Sequence, residues 1–325
     1  MTTVPGGVPD GPAQATHDPA TQPSTDALLR EGERLLHAAG VDSPPADARA
    51  LLAHAWGWED HEVSRARLLG DPVSADVATA YRDLLEHRAT RTPLQHLTGR
   101  AHFRTLTLPV GPGVFVPRPE TELLVDPVLH HLARVRPAGG ARVLDLCTGT
   151  GALGLAVAAE AAGTSALGIE REPDALAWTH RSATAHRELL EEVGSRFTAV
   201  VGDATDPDAV DALVRTHLDG AVDAVVSNPP YVVDDGTTTA PEAVVHDPAA
   251  ALWGGGDDGT RIPRLVIASA ARVLIPGGLL VLEHADTQGA ALREACTGAG
   301  FTGVTTRADY TGRDRFTVAV LRPHH

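Results

Sequence analysis

The chain has 325 residues, and its 27 basic residues other than histidine are all arginine, because lysine does not occur in it. Without lysine there is no Schiff-base nucleophile, no attachment point for pyridoxal phosphate and no phosphate-loop lysine, so enzymes that depend on these groups are excluded. The net charge of -15 disfavours a nucleic-acid-binding protein, which usually presents a basic face to phosphates. We therefore expect no direct binding to nucleic acid.

The remaining composition predicts a cytoplasmic protein that does not contact a membrane. Hydrophobic residues make up 43% of the chain, yet no apolar stretch approaches the roughly 20 residues that a membrane helix needs. The first basic residue is Arg30, so the charged start of a secretory signal is missing. Cys147 and Cys296 are too few for a disulfide framework or a cysteine metal site.

The first 119 residues divide into three segments. Residues 1–23 are rich in Pro, Gly, Thr and Ala without apolar periodicity, which predicts a disordered tail. In residues 24–92 apolar side chains recur every three or four positions between polar starts and glycine or proline breakers, which predicts a bundle of about four short helices. Residues 93–119 alternate around Gly111-Pro112-Gly113, which predicts a linking β-hairpin with its turn there.

The segment from residue 120 to 325 alternates apolar strands with helical patterns. The predicted strands are 142–146, 166–170, 197–201, 224–227, 279–284 and 315–321. This alternation predicts a Rossmann-like α/β domain with a mostly parallel sheet and helices on both faces. The last strand follows what we interpret as a loop after Gly300, without a helix before it, so we expect it to run antiparallel.

A glycine-rich turn follows the first of these strands. Cys147-Thr148-Gly149-Thr150-Gly151 lies between the strand and an apolar helix, and its glycines allow a sharp turn and a close approach of a ligand to the main chain. The run from Gly149 to Gly154 also fits the dinucleotide fingerprint, and Glu170 ends the next strand about 20 residues on, where ribose hydroxyls would lie. The motif alone leaves NAD and S-adenosylmethionine as alternative ligands.

Asp203 follows the third strand, at the edge of the sheet where ligands of open sheets bind. Its carboxylate can accept a hydrogen bond from an adenine amino group. An Asp in a loop is as often a turn or helix cap, so both interpretations stay open at this residue.

The sequence Ser227-Asn228-Pro229-Pro230-Tyr231 follows a buried strand and indicates the chemistry. Two prolines remove two backbone donors at the tip of a strand, which suits a site that must accept hydrogen bonds from an NH2 group. The side-chain carbonyl of Asn228 and the backbone carbonyl of Pro229 can each accept one N-H, and Tyr231 can stack on a planar target. An amide or aromatic amine nitrogen is a weak nucleophile, so orientation is what the protein can contribute.

At these residues the chain resembles the class I S-adenosylmethionine-dependent methyltransferases with an Asn-Pro-Pro-Tyr motif, and more narrowly the protein-(glutamine-N5) methyltransferases of peptide chain release factors. The resemblance runs from about residue 25 to the C-terminus. Its further motifs are Pro93-Leu94-Gln95-His96-Leu97-Thr98-Gly99, the run 116–125 with Arg118-Pro119-Glu120-Thr121-Glu122, the run 254–259 with Arg264, and Pro276-Gly277-Gly278 before the strand carrying Glu283. The Arg-Pro-Glu-Thr-Glu run is the specific part, because Asn-Pro-Pro-Tyr also occurs in adenine methyltransferases.

The resemblance implies a role for each motif. It places Cys147, Thr148, Gly149, Thr150 and Gly151 along the methionine and ribose of S-adenosylmethionine, Glu170 on the ribose hydroxyls, Asp203 and Ala204 beside the adenine, and Asn228, Pro229, Pro230 and Tyr231 around the target amide, with Asn228 also bordering the cofactor. It implies a release factor as partner, with the target glutamine in a Gly-Gly-Gln loop and the helical bundle as its docking domain. The chain departs from the family at Cys147, where the family commonly has glycine, and at Ala204, where a larger residue is frequent.

Parts of the sequence also fit other functions. An adenine-N6 DNA or RNA methyltransferase would need a basic face or a target-recognition domain, and neither is found in the sequence. A non-catalytic cofactor-dependent binding module is the third alternative. Asp257 and Asp258 do not meet the spacing of a calcium loop and more simply indicate a lid or turn, so no metal is expected. Arg118 and Glu120 fit either substrate contact or an ion pair.

Overall fold

The computed structural model describes residues 22–136, 138–234 and 246–323, so nearly all of the predicted disordered tail lies outside the described residues. The chain divides into two units, Met1–Leu94 and Gln95–His325. None of the helices in the described part of the chain combines the length and apolar character needed to cross a membrane.

The first unit contains the four helices that the sequence predicts. They are α1 (Thr25–Ala38), α2 (Pro44–Trp56), α3 (Asp60–Leu69) and α4 (Ala75–Ala89). The Ser24 hydroxyl accepts the Ala27 N-H and caps α1, while α2 and α3 end at Gly57 and Gly70 in left-handed conformations. Leucines and Tyr81 fill the core of this unit.

The second unit begins with the end of a five-residue helix, α5 (Leu94–Thr98), and is built around a seven-stranded sheet. Its further elements are β1 (Arg100–Phe103), β2 (Leu106–Pro109), a 3-10 helix (Pro119–Leu124), α6 (Val125–Val135), β3 (Arg142–Leu146), α7 (Ala152–Glu160), β4 (Ser165–Glu170), α8 (Pro173–Ala185), α9 (Arg187–Glu192), β5 (Arg196–Val201), α10 (Pro207–Leu218), β6 (Val222–Ser227), α11 (Ala249–Leu252), α12 (Arg261–Val273), β7 (Leu274–Glu283), α13 (Gly289–Gly298), β8 (Phe301–Ala308) and β9 (Asp314–Leu321).

The large sheet has the strand order β5-β4-β3-β6-β7-β9-β8. Strands β3 to β7 pair in parallel, and β9 runs antiparallel to both β7 and β8. The predicted Rossmann-like sheet and the predicted antiparallel last strand are therefore confirmed. Residues of α6 and α7 are buried in one apolar core of this unit, and those of α10, α12 and α13 in another. Since β3 lies between β4 and β6, the strand order reverses there, and the carboxyl ends of these strands are where ligands bind in open sheets.

The prediction of a loop after Gly300 was wrong, because α13 and the edge strand β8 precede β9. In the described part of the chain β8 pairs with β9 alone, and Phe301 is its one buried residue, while others such as Arg307 are exposed. Because β8 is an edge strand with several threonines and few buried apolar residues, its hydrophobic pattern in the sequence is weak.

The hairpin turn was also predicted at the wrong place. Strands β1 and β2 pair with Phe103 opposite Leu106, so the chain turns at Arg104 and Thr105 and not at Gly111-Pro112-Gly113. Arg104 has a φ of 52°, and its backbone N-H donates to Glu122 Oε1 at 3.0 Å while its guanidinium pairs with Glu160. These tertiary contacts hold a left-handed turn that carries no Asn-Gly or Asp-Gly signal in the sequence.

The segment around Gly111 packs against α8 instead. Val110, Val114 and Val116 form a small core with Ala175, and Trp178 packs against it. Trp178 Nε1 donates to the Pro112 carbonyl at 3.1 Å. A Cβ on Gly111 would lie 2.5 Å from the Trp178 ring, so the glycine permits this close approach. From Val110 onward, the alternating apolar pattern therefore reflects packing of an irregular segment on a helix.

Candidate active site

The predicted glycine turn lies at the carboxyl end of β3. Gly149 and Gly151 have φ values of 57° and 84°, and Gly151 directly precedes α7. The Thr148 N-H donates to the Ile169 carbonyl at 3.1 Å, which ties the turn to the end of β4. A Cβ on Gly154 would lie 2.6 Å from the Phe197 ring and 3.2 Å from Asp145, so this glycine lets α7 pack closely on the sheet.

Cys147 occupies a left-handed backbone position, with a φ of 58°. Residues with a Cβ disfavour this conformation, whereas glycine adopts it freely. The backbone at this position therefore suits glycine better than cysteine, which agrees with the departure noted at Cys147 in the sequence. Burial raises the pKa of the Cys147 thiol, which keeps it protonated.

Asp145, on β3, was not predicted as a site residue. Its side chain is fully buried, and Oδ2 accepts the Thr148 hydroxyl at 2.5 Å and the Gly154 N-H at 2.9 Å. Oδ1 has no hydrogen-bond partner among the described residues. Burial raises the pKa of Asp145 to about 7. An acidic residue in the strand before a glycine turn is the sequence signal that would have found it.

Glu170 lies at the carboxyl end of β4, as predicted. Its Oε2 accepts the Gly149 N-H at 2.9 Å, and its Oε1 accepts the N-H groups of Arg171 and Glu172 at 2.9 and 3.0 Å. These bonds use three of about four acceptor positions of a carboxylate. One position remains for a hydroxyl of a ligand.

Asp203 forms a turn, which was one of its two sequence interpretations, and it also lines a cleft at this edge of the sheet. Its Oδ1 accepts the backbone N-H and the hydroxyl of Thr205 at 2.9 and 2.7 Å. Burial would raise the pKa of Asp203, but the Thr205 hydrogen bonds outweigh it and lower that pKa. The ionised Oδ2 is left to accept a hydrogen bond from a ligand.

A single cleft brings most of the predicted residues together beyond the carboxyl ends of β3, β4 and β6. It encloses about 1150 Å³ of empty space, which includes solvent at its mouth. Among the predicted residues, Cys147, Thr148, Gly149, Thr150, Glu170, Asp203, Ala204, Asn228, Pro230 and Tyr231 line it. Gly151 and Pro229 are not among the residues that line it.

The cleft also contains residues that sequence reasoning missed. They are Gly113, Phe115, Pro117, Thr121, Leu153, Arg171, Glu172, Thr205, Pro248, Ala250, Ala251, Leu252 and Ile262, among others. Thr121 belongs to the Arg-Pro-Glu-Thr-Glu run, so its motif was seen but not its position in the cleft. The residues from 248 to 252 follow no motif and reach the cleft only through the tertiary fold.

The charged lining favours a cationic ligand over an anionic one. Three carboxylates (Glu170, Glu172 and Asp203) and one guanidinium (Arg171) line the cleft in the described part of the chain. The Gly149 N-H, which a dinucleotide fold would direct at a pyrophosphate, donates to Glu170 instead. This arrangement disfavours the NAD alternative. No group of His, Cys, Asp and Glu arranged to hold a metal occurs among the described residues.

The Asn-Pro-Pro-Tyr loop follows β6. Asn228 Nδ2 donates to Thr121 Oγ1 at 3.3 Å, which leaves Oδ1 of the same amide as an acceptor. Tyr231 Oη donates to Glu283 Oε1 at 3.1 Å. No described residue donates a hydrogen bond to the Pro229 carbonyl. Among the described residues, no donor therefore occupies the Asn228 side-chain oxygen or the Pro229 backbone oxygen.

The glycine-rich run 254–259 packs against the backbone of Tyr231. A Cβ on Gly259 would lie 2.4 Å from the Tyr231 carbonyl oxygen, and one on Gly254 would lie 2.7 Å from the Tyr231 Cα. Gln288 Nε2 donates to the carbonyls of Tyr231 and Asp258, both at 2.8 Å. The Asp258 carboxylate accepts the Thr260 N-H and hydroxyl and so forms a turn. The predicted turn is present, and its glycines hold Tyr231 in place.

Arg118 forms an ion pair, which was one of its two sequence interpretations. Its Nη2 lies 2.7 Å from Asp247 Oδ2, and the Asp247 side chain is buried. The guanidinium also lies 5.0 Å from the centre of the Phe115 ring. The pair therefore joins the segment before the 3-10 helix to the segment that leads into α11. Glu120 is partly exposed in the 3-10 helix.

The amino-acid sequence of this chain matches those of a known protein family. The family model described as PrmC N-terminal domain matches residues 27–99, and the one described as Methyltransferase small domain matches residues 112–258. Proteins described as release factor glutamine methyltransferase are similar over most of their length. The one from Mycolicibacterium smegmatis is 44% identical over 287 residues (87% of this chain and 93% of the relative), and the one from Bifidobacterium longum is 40% identical over 297 residues (90% and 98%).

Solved structures show a more distant likeness. A predicted O-methyltransferase from Agrobacterium tumefaciens is 21% identical, covers 62% of this chain and 83% of its own, and has a TM-score of 0.40. A 16S rRNA N2 G1207 methyltransferase from Thermus thermophilus, in complex with AdoMet and guanosine, is 22% identical, covers 69% and 50%, and has a TM-score of 0.43. The fold described above rests on strand order and direction and not on these similarities.

Proposed function

This chain belongs to the release factor glutamine methyltransferase family, and on that premise we propose that it transfers a methyl group from S-adenosylmethionine to the N5 side-chain nitrogen of a glutamine. The proposed substrate is a peptide chain release factor, with the target in its Gly-Gly-Gln loop. The observation that carries the proposal is the Asn228 amide at the edge of an acidic cleft, with Nδ2 bonded to Thr121 and Oδ1 left as an acceptor.

The residues of the cleft fit S-adenosylmethionine. Gly149 lines the cleft, and a Cβ built on it meets no atom within 4 Å, so the turn leaves open space for a ligand beside the main chain. Glu170 keeps an acceptor position for a ribose hydroxyl, and Asp203 Oδ2 for an adenine amino group. S-adenosylmethionine supplies a methyl group on a positively charged sulfur, which the carboxylate-rich lining favours.

In the proposed reaction the protein orients a weak nucleophile. Asn228 Oδ1 and the Pro229 carbonyl each accept one N-H of the target amide, and the two prolines limit their movement. With both hydrogens held, the out-of-plane electrons of the nitrogen point at the methyl group, and Tyr231 forms a wall for the planar amide. As the N–CH3 bond forms, the S–CH3 bond breaks and its electrons stay on the sulfur, which leaves S-adenosylhomocysteine. The nitrogen gives up one proton to water after transfer, so no general base is assigned.

The adenine-N6 alternative poses the same problem of orienting an NH2 group. It requires contacts to nucleic-acid phosphates, which the net charge of -15 opposes. The family relatives are described by their glutamine activity, and no observation on this chain favours adenine.

We also propose that the first unit docks the release factor and that the enzyme acts in the cytoplasm, where translation occurs. The chain is strongly acidic, and a release factor, which works on RNA, would attract it through a basic surface. Docking of this kind weakens as salt screens the charges, so the Michaelis constant for the release factor should rise with ionic strength.

The test is incubation of the protein with S-adenosylmethionine and a purified release factor, followed by peptide mass spectrometry. We expect one methyl increment on the glutamine of the Gly-Gly-Gln loop, and none on a release factor in which that glutamine is replaced. Methylation of adenine in RNA or DNA without methylation of glutamine would refute the proposal.

A variant of Asn228 separates the two parts of the site. Asn228→Ala should bind S-adenosylmethionine with nearly the affinity of the parent and lose at least about 100-fold in the rate of transfer, because a misplaced nucleophile costs roughly that factor. Equal transfer rates in variant and parent would refute the proposed role of Asn228, whereas cofactor binding without any transfer in the parent would favour the non-catalytic binding module.

A further inference from the structure

Glu283 is a buried carboxylate beside the Asn-Pro-Pro-Tyr loop that the proposed reaction does not use. It ends β7 and is 2% exposed. Its Oε1 accepts the Tyr231 hydroxyl, whereas Oε2 has no hydrogen-bond partner among the described residues. Burying a carboxylate oxygen without a hydrogen-bond partner costs free energy, so such a residue in a native protein needs an explanation.

Thr121, in the 3-10 helix, is a neighbour of the Glu283 carboxylate. Its hydroxyl is buried, and the oxygen accepts the Asn228 Nδ2 proton. A hydroxyl that accepts in this way directs its own proton elsewhere. Among the groups that oppose burial and lower the pKa of Glu283, the Thr121 hydroxyl is the strongest, ahead of Tyr231. Thr121 therefore bonds the Asn228 amide and is a near neighbour of the Glu283 carboxylate.

We propose that Glu283 is a positioning residue whose ionised carboxylate fixes the orientation of the Asn228 amide through Thr121. A carboxylate only accepts, so its Oε1 holds the Tyr231 hydroxyl proton, and its unpartnered Oε2 attracts the proton of the neighbouring Thr121 hydroxyl. The Thr121 oxygen then offers its lone pair to Asn228 Nδ2, and Asn228 Oδ1 faces the substrate. The inference rests on the proposed function, since it concerns the acceptor that holds the target amide.

Protonation of Glu283 breaks this order. A carboxylic acid can donate to the Thr121 oxygen, which frees the Thr121 proton to point at Asn228 and allows the amide to turn over. Burial raises the pKa of Glu283 to about 7, opposed by the Thr121 and Tyr231 hydroxyls and by Arg315 on β9, while Glu120 on the 3-10 helix raises it further. The turnover number should therefore be constant above that pH and fall about tenfold per pH unit below it.

The sequence offers a direct reporter, because Asn228 is the only asparagine in the chain. Protein labelled with 15N in asparagine side chains gives a single NH2 pair in a nuclear magnetic resonance spectrum. The shifts of this pair should change with pH around a midpoint near 7 in the full-length parent without any substrate. In Glu283→Gln the pair should show no titration in that range.

Two further variants complete the design. Thr121→Val removes the hydroxyl, so the Asn228 pair should lose its titration and the turnover number should fall as in Glu283→Gln, by roughly 10- to 100-fold. Thr121→Ser keeps the hydroxyl and should recover most of both signals. Thermal unfolding and the dissociation constant of S-adenosylmethionine serve as controls, and we expect the latter to stay within about twofold of the parent.

The outcomes are distinct. A titration in the parent that disappears in Glu283→Gln and Thr121→Val but returns in Thr121→Ser supports the positioning role. An Asn228 pair that titrates equally in the parent and in Glu283→Gln overturns it, as does a Glu283→Gln enzyme with the parent's turnover number and acid limb. A parent that methylates no glutamine refutes the proposed function instead, and the Asn228 titration then still decides the amide orientation alone.

Discussion

The backbone N-H of Gly149 donates to Oε2 of Glu170 across 2.9 Å, which joins the glycine turn after β3 to the acidic end of β4. The same carboxylate accepts the next two N-H groups along its own chain. One side chain thus shapes the turn and keeps an acceptor position for a ligand. Removing it affects both.

We predict that Glu170→Ala raises the dissociation constant of S-adenosylmethionine by about 10- to 100-fold, because a hydrogen bond to a charged group contributes roughly 1.5–3 kcal/mol. Isothermal titration calorimetry measures this. Glu191, exposed on α9, is the matched control, and Glu191→Ala should change the constant by less than about twofold. An unchanged affinity in Glu170→Ala would refute the predicted role of Glu170.

How much the sequence predicts depends on where the determining contacts lie. Glu170 ends the parallel strand β4, and Asp203 and Asn228 come after the parallel strands β5 and β6, so these positions alone place them at one edge of the sheet. The turn at Arg104 could not be predicted, because its left-handed backbone depends on Glu122 and Glu160, which are distant in sequence. Thr121 and Glu283 were seen in motifs, but their link to Asn228 and Tyr231 exists only after folding.

The left-handed backbone at Cys147 leads to a prediction on stability. Cys147→Gly should be more stable than Cys147→Ala by about 1 kcal/mol, because only glycine avoids the steric cost of a positive φ. Cys296 is the control, since it lies in helix α13, where alanine is favoured over glycine by about 1 kcal/mol. Urea unfolding of the four variants measures both differences. The same order of stability at the two positions would contradict the explanation.

Gly111 tests the wall of the cleft that packs on α8. A methyl group there would meet the Trp178 ring at 2.5 Å and push away the segment that carries Phe115. We predict that Gly111→Ala lowers the free energy of unfolding by about 1–3 kcal/mol and weakens binding of S-adenosylmethionine.

The control for this substitution is Gly298→Ala at the end of α13, where a Cβ meets no atom within 4 Å and φ is not positive. It should change the free energy of unfolding by no more than about 0.5 kcal/mol. If Gly111→Ala leaves cofactor affinity unchanged although it destabilises the protein, the segment does not shape the cofactor site.

Asp145 predicts how stability depends on pH. Its pKa is raised to about 7 in the folded protein from an ordinary value of 3.8, so the folded state binds the proton more tightly than the unfolded state. Stability from this group is therefore lost as pH rises from about 4 to 7, and the loss is complete above 7. It amounts to a few kcal/mol, on the order of 1.4 kcal/mol for each unit of pKa.

Asp145→Asn removes this dependence, since an amide does not ionise. Its oxygen can still accept from Thr148 and Gly154, while its NH2 group takes the position of the unpartnered Oδ1. The difference in free energy of unfolding between variant and parent should therefore shift in favour of the variant between pH 5 and pH 8. Denaturant unfolding at both pH values, with exposed Asp286→Asn as the control, measures that shift. A difference that is the same at pH 5 and pH 8 would mean that Asp145 does not hold its proton in the folded protein.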